Sequence, residues 1–223
     1  MTRAAVLVVT KAPVPGAAKT RLCPPATPAQ AAAIAAASLL DTLDAARGRR
    51  TVVALTGRLR AAAGRGELLR ALARCSVVGQ DGAGLGTRLA AAHRAAAALL
   101  GPGPVVQLGM DTPQLTPALL EAAAVLLSGA DAVLGPAVDG GWWALGLHDP
   151  RHAAVLAAVP MSRSDTGGRT LHALRRGGLR VALLPPLRDV DTMADAELVA
   201  ADAPDGRFAA AVAAVGARSG ARA

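Results

Sequence analysis

Short aliphatic runs alternate with long Ala/Leu-rich stretches along the whole chain. The short runs are β-branched or aliphatic and predict strands near 4–10, 51–55, 75–78, 104–108, 131–135, 142–147 and 179–184. The longer stretches predict helices near 28–46, 59–73, 86–100, 116–128, 150–158, 167–177 and 192–202. Thr27-Pro28 and Thr116-Pro117 are helix starts of the N-cap-plus-proline type, and Arg176-Gly177-Gly178 is a helix stop. Strands alternating with helices build βαβ units around a mainly parallel sheet, an α/β fold. No repeat and no linker divides the chain. Residues 1–202 therefore read as one domain, followed over 203–223 by a helix around Phe208 and a flexible tail.

Composition narrows the picture. With 223 residues, 52% of them hydrophobic, the chain can bury a full core. That core is aliphatic, because Phe208, Trp142 and Trp143 are the only aromatics. The net charge of +8 invites a nucleic-acid reading. The cations are scattered, however, the densest group being Arg47-Gly48-Arg49-Arg50, and stacking platforms are scarce, so nucleic acid is not an expected partner. Cys23 and Cys75 form no metal-ligand spacing and read as reduced thiols. The chain enters its first strand directly, and no stretch has the length of a membrane span, which predicts a soluble cytoplasmic protein with no membrane partner.

Candidate chemistry sits where strands end. Val105-Val106-Gln107-Leu108 runs into Gly109-Met110-Asp111-Thr112-Pro113, which places a carboxylate outside the carboxyl end of a strand. Asp111 there either holds a divalent cation or caps the following helix. The loop after the first strand carries Lys11, Lys19 and Arg21, which can converge on a polyphosphate or simply face solvent. It is not a Walker loop, since Ala18 stands where the glycine before the lysine belongs. Gly82-Ala83-Gly84-Leu85-Gly86-Thr87-Arg88 opens a helix whose N-terminus favours an anion, although its spacing is not the dinucleotide fingerprint.

Two more acid-bearing loops follow. In Gly135-Pro136-Ala137-Val138-Asp139-Gly140-Gly141-Trp142-Trp143, Asp139 either binds hydroxyls or acts as a base, or else belongs to a plain hairpin turn. The adjacent tryptophans alternate across a strand, so one can be core while the other lines a cleft. In Asp189-Val190-Asp191-Thr192 the two acids point the same way if the segment is extended. Asp191 either completes a metal site with Asp111 or helps cap the last helix, as Thr192 can. His93, His148, His152 and His172 show no ligand spacing and read as surface or structural, and no GxSxG elbow is present.

In order, the chain carries Lys-Ala-Pro-Val-Pro-Gly-x-x-Lys-Thr-Arg-Leu, Gly-Leu-Gly-x-Arg, Gly-x-Asp-x-Pro, Leu-Gly-Pro-Ala-x-Asp-Gly-Gly and Asp-Val-Asp-Thr. Over residues 4–200 this series resembles the small bacterial GT-A-type glycosyltransferase family of the arsenosugar-biosynthesis type, and more remotely the phospholactate guanylyltransferases. The resemblance implies a three-layer α/β/α sandwich with a mainly parallel, Rossmann-like sheet. It implies a metal-dependent glycosyltransferase using a nucleotide-diphosphate-sugar donor and a small-molecule acceptor. Magnesium or manganese would sit on Asp111 and Asp191, and Lys11, Lys19 and Arg21 would face the diphosphate. Gly84, Gly86 and Arg88 would border the nucleoside, while Gly140, Gly141 and Trp142 would border the sugar or acceptor, with Asp139 as base. The chain departs from the family pattern at Pro113, where GT-A enzymes carry a second acid, at Met193 in place of proline and at Trp142 in place of tyrosine. Nucleotidyl transfer from a nucleoside triphosphate, and nucleotide binding without catalysis, are the alternatives.

Overall fold

A computed structural model describes residues 4–220. Each of the seven apolar runs forms a strand: β1 (Ala5–Lys11), β2 (Thr51–Thr56), β3 (Ser76–Gly79), β4 (Val105–Leu108), β5 (Ala132–Pro136), β6 (Trp142–Leu147) and β7 (Val181–Leu183). They make one sheet in the order β3-β2-β1-β4-β6-β5-β7. All neighbours are parallel except β6, which runs against both β4 and β5. The helices are α1 (Pro28–Ala45), α2 (Arg65–Leu72), α3 (Leu85–Leu100), α4 (Pro117–Leu126), α5 (Thr166–Arg176), α6 (Met193–Asp202) and α7 (Arg207–Gly220). None of the described helices is long and apolar enough to cross a membrane.

Strand periodicity assigns the faces. Val6, Val8, Val53, Val106, Leu108 and Val133 point to one side, where they pack with residues of α1, α2 and α4. Their neighbours Ala5, Leu7, Val52 and Val105 point to the other side, where α3 supplies Ala92 and Ala96. Farther along that side Leu134, Leu145 and Leu147 meet Leu174 of α5 and Leu156. The result is the expected three-layer α/β/α sandwich.

A fourth element explains the composition of α1. Its residues Ala31, Ile34 and Ala37 pack outward against Phe208, Val212 and Val215 of α7, so α1 is buried on two sides. A helix covered on both faces must be apolar nearly all round, and alanine lets both neighbours approach closely. The α7 start is fixed by Asp41 of α1, whose carboxylate accepts the Phe208 backbone N–H at 2.8 Å. Arg207 adds ion pairs to Asp41, Asp44 and Glu67. The tail expected after this helix lies at residues 221–223, outside the described residues.

Two segments wind differently from expectation. The helix expected over 59–73 is a 3-10 turn at Leu59–Ala61 and then α2, separated by Gly64 in the left-handed region. Its Ala-Arg-Gly composition gives no apolar stripe until Leu68 and Leu72, the two buried positions. The segment Pro150–Ala158 is a 3-10 helix throughout. Apolar periodicity marks it as helical but cannot distinguish these windings.

Replacing Phe208 by alanine is expected to cost about 3–5 kcal/mol, the usual penalty for emptying a fully buried aromatic site. Urea unfolding followed by circular dichroism checks this; a loss below about 1 kcal/mol would mean that α7 contributes little to the domain.

Candidate active site

The strand order reverses beside β1: the chain builds outward through β2 and β3, then returns to place β4 on β1's other side. In open α/β sheets such a reversal leaves a crevice at the carboxyl ends of the strands. Because β6 is antiparallel, its first residue, Trp142, reaches this same edge, together with the loops after β1, β4, β5 and β7.

Lys19 lies at the centre. It adopts a left-handed backbone conformation, φ 48° and ψ 41°, at the start of the 3-10 turn Thr20–Leu22. Its side chain is 12% exposed, and its ammonium is 2.7 Å from Asp111 Oδ1 and 3.9 Å from Asp191 Oδ1. It also donates to the Val190 carbonyl. The Val190 N–H in turn donates to the Asp111 carbonyl at 2.8 Å, so the two acid loops are joined by backbone as well as charge. Arg21 Nη1 approaches Asp191 Oδ2 to 3.0 Å.

On one side of Asp111 opens a basic chamber of about 390 Å³ walled by Lys11, Lys19, Arg21, Arg88 and Gln80. The Gln80 amide donates to Thr10 O at 2.8 Å and Ala54 O at 2.9 Å, which pins the ends of β1 and β2 together. Arg88 donates through Nε to Gly82 O at 3.2 Å, bracing the glycine loop. On the other side lies an acidic chamber of about 290 Å³ bordered by Asp139, Asp189, Gly141, Trp142, Arg163 and Gln107. Asp111 borders both chambers. Trp143, the alternate residue of β6, is buried and donates its indole N–H to Pro185 O at 3.0 Å.

Carboxylate oxygens of Asp139, Asp189 and Asp191 lie within 4.8 Å of one another. Burial, and then the charges of Asp139 and Asp191, push the Asp189 carboxyl up to about 6. Three hard oxygen donors fit magnesium or manganese, although Arg21 and Lys19 already approach Asp191. The expected metal pair of Asp111 and Asp191 is placed at the same edge. The Lys19 ammonium stands between those two acids, and the group within 4.8 Å joins Asp191 to Asp139 and Asp189. The Asp189-Val190-Asp191 spacing held the signal for Asp189. Gln80, Gln107 and Arg163 carried none, because nothing in a sequence says which strand residue or distant loop faces a cleft.

The predicted glycines divide by role. Gly141 borders the acidic chamber. Gly140 has φ +89°, and a β-carbon on it would overlap the Ser164 carbonyl, so it seats the hairpin on the start of α5. Gly86 faces away from open space: a β-carbon there would strike the Leu156 carbonyl, and its job is the close approach of α3 to the 3-10 helix. Gly84 is the N-cap of α3, its N–H held by Thr87 Oγ1 at 3.0 Å. The Arg47–Arg50 group lies at the opposite edge of the sheet, where Arg47 pairs with Asp44, Arg49 with Glu121, and Arg50 with the Leu100 carbonyl. Of the four histidines, His93 is fully buried.

The sandwich, its single antiparallel strand and the crevice at the strand-order reversal define the nucleotide-diphospho-sugar transferase and cytidylyltransferase class of fold. The chain belongs to the family of uncharacterized proteins conserved in bacteria designated DUF2064, which matches residues 39–163. It is similar to a protein of Desulfovibrio desulfuricans G20 provisionally described as a nucleotide-diphospho-sugar transferase, with 29% identity, a TM-score of 0.77 and coverage of 89% of this chain and 87% of that one. It shares the fold of a cytidylyltransferase from Leptospira borgpetersenii serovar Hardjo-bovis, at 14% identity, TM-score 0.54 and coverage of 88% and 84%. It also shares that of the 4-diphosphocytidyl-2C-methyl-D-erythritol synthase from Anaerococcus prevotii DSM 20548, at 10% identity, TM-score 0.55 and coverage of 90% and 98%. No curated protein matches the chain.

Because the Asp189 carboxyl is held above its ordinary value of 3.8, the folded chain binds more protons than the unfolded chain between about pH 4 and 6. Stability is therefore lost as pH rises through that window, and the cost persists above it. Asp189→Asn should raise Tm by about 2 °C at neutral pH and leave it unchanged below about pH 4, a small gain for a domain of this size. Thermal melts at both pH values check the sign; an equal shift at both would remove the charge explanation.

Proposed function

We propose that this protein is a metal-dependent transferase that takes a nucleotide-diphosphate-sugar donor and passes the sugar to a small-molecule acceptor. The observation that carries the reading is the meeting of a basic and an acidic chamber at Asp111, at the reversal of strand order. Similarity to the Desulfovibrio protein points the same way. In this reading the diphosphate rests against Lys11, Lys19 and Arg21, with the nucleoside towards Gln80 and Arg88. The sugar and acceptor occupy the acidic chamber between Asp139, Gly141 and Trp142.

During transfer the acceptor oxygen bonds to the anomeric carbon while the bond from that carbon to the diphosphate oxygen breaks. The electron pair leaves with the nucleoside diphosphate, and Asp139 takes the acceptor's hydroxyl proton. Lys19 and Arg21 meet the charge that grows on the leaving group. Asp189 and Asp191 would hold a magnesium or manganese ion, which would add positive charge on the leaving-group side. Asp111 keeps Lys19 in place. Nucleotidyl transfer, favoured by the fold shared with cytidylyltransferases, would use the same cations but release pyrophosphate.

Thermal shift against UDP, GDP, CDP, dTDP, the triphosphates and their sugar conjugates, with and without manganese, tests the reading. A cognate ligand at about a hundred times its dissociation constant adds about 2.7 kcal/mol, which raises Tm by about 5–10 °C. That shift should require manganese, lose its metal dependence in Asp191→Ala and shrink in Lys19→Met. Product analysis then separates the chemistries, since free nucleoside diphosphate marks glycosyl transfer. An unchanged Tm with every nucleotide would overturn the proposal.

A further inference from the structure

One polar pair interrupts the aliphatic layer between the sheet and α3. Gln107 of β4 is 3% exposed and His93 of α3 is fully buried, among Ala5, Leu7, Ala92, Ala96 and Val105. Burying two polar side chains in such a layer is costly unless their groups are hydrogen-bonded. They share one bond, His93 Nε2 to Gln107 Oε1 at 2.9 Å. It leaves His93 Nδ1 sealed without a partner among the described residues. The pair therefore does not satisfy itself, and a purely structural purpose would be served better by two aliphatic side chains.

The other end of Gln107 shows where it is directed. Its side chain forms part of the wall of the acidic chamber, with Asp111, Asp139, Trp142 and Arg163. The amide NH2 donates to no group among the described residues, yet it is not sealed from the chamber as His93 Nδ1 is. Burial holds the His93 imidazole down at about 4, so at neutral pH it carries one N–H. Donated to Gln107 Oε1, that N–H occupies the amide oxygen and turns the NH2 towards the open side. The reverse arrangement would seal a His93 Nδ1–H donor with no acceptor, the costlier orphan.

We infer that Gln107 is a specificity-determining residue whose amide NH2, oriented from behind by His93, donates a hydrogen bond to a hydroxyl oxygen of the polyhydroxylated group bound in the acidic chamber. The chamber matches such a ring: a donor at Gln107, acceptor carboxylates at Asp139 and Asp189, and the Trp142 indole as an apolar wall. His93 is the positioning residue. The inference rests on the glycosyl-transfer reading, and it assigns to that site the discrimination between a sugar nucleotide and its bare nucleoside diphosphate.

The test compares UDP with UDP-glucose and GDP with GDP-mannose on wild type, Gln107→Leu, His93→Leu and the double variant. Gln107→Leu should bind each diphosphate as wild type does but bind the cognate sugar conjugate about ten- to hundred-fold more weakly, as a lost hydrogen bond to a desolvated group does. His93→Leu should lose a similar factor, and the double variant should lose no more than either single one, whereas two independent packing defects would add. Unchanged sugar-conjugate affinity in Gln107→Leu, with diphosphate binding intact, overturns the inference. A wild type that binds no nucleotide overturns the functional reading instead, and a second readout then judges Gln107. In 15N-labelled protein its side-chain NH2 pair, identified by its loss in Gln107→Leu, should move when free glucose or mannose is added at tens of millimolar. A pair that stays fixed with both sugars overturns the inference on its own.

Discussion

Three loops far apart in the chain meet on the Lys19 ammonium. It takes the Asp111 carboxylate from the end of β4 and the Val190 carbonyl and Asp191 carboxylate from the segment before α6. A largely buried ammonium must find oxygen partners, and these are supplied from positions more than ninety residues away in sequence. The same charge relieves the repulsion among the acids at this edge, where burial, and then the charges of Asp139 and Asp191, push the Asp189 carboxyl up to about 6. The boundary between the basic and acidic chambers is thus an ion pair, Lys19 with Asp111.

The loops can meet only because the sheet delivers them to one edge. Parallel pairing puts the ends of β1, β2, β3 and β4 together, and the single antiparallel strand β6 brings Trp142 and the Asp139 hairpin to the same side. Packing then sets their positions finely. With almost no aromatics the core relies on close approach of small residues, as in the alanines of α1 between the sheet and α7 and in Gly86 of α3 against Leu156. Gly140 does the same for the Asp139 hairpin, allowing it to rest directly on the backbone at Ser164. The glycines near the site serve mainly this purpose, which is mechanical support for the acids beside them.

The excess of positive charge is distributed in a way that net charge conceals. Many arginines are spent on fastening the domain: Arg207 ties α7 to α1 and α2, Arg49 ties the lower edge to Glu121 of α4, and Arg180 pairs with Asp131 beside β5. Lys11, Lys19, Arg21 and Arg88 instead line the basic chamber together. A group focused in this way offers a compact polyphosphate several cations at once.

The strands, most of the helices and the α/β class were legible because apolar periodicity is a local property, written into each segment by the face it must bury. Asp111 and Asp139 were legible as acids just past apolar runs, and Asp191 as an acid just before a helix, since the end of an apolar run and the start of a helix are themselves visible. What periodicity could not carry is depth and partnership. The 3-10 winding of Pro150–Ala158, the filling of the Asp111–Asp191 gap by Lys19, and the membership of Asp189 in the acid group all depend on distances between segments that are remote in sequence. Gln107 is the clearest case: within Val-Val-Gln-Leu it reads as one polar interruption of a buried strand, and only β4's place beside the crevice, with His93 of α3 behind it, gives its amide a direction. The sequence by itself determined which segments are strands and helices and which loops carry charge, because those follow from local burial. The tertiary structure alone decided which charges face each other, because an electrostatic site is defined by separations of a few ångströms that no single segment contains.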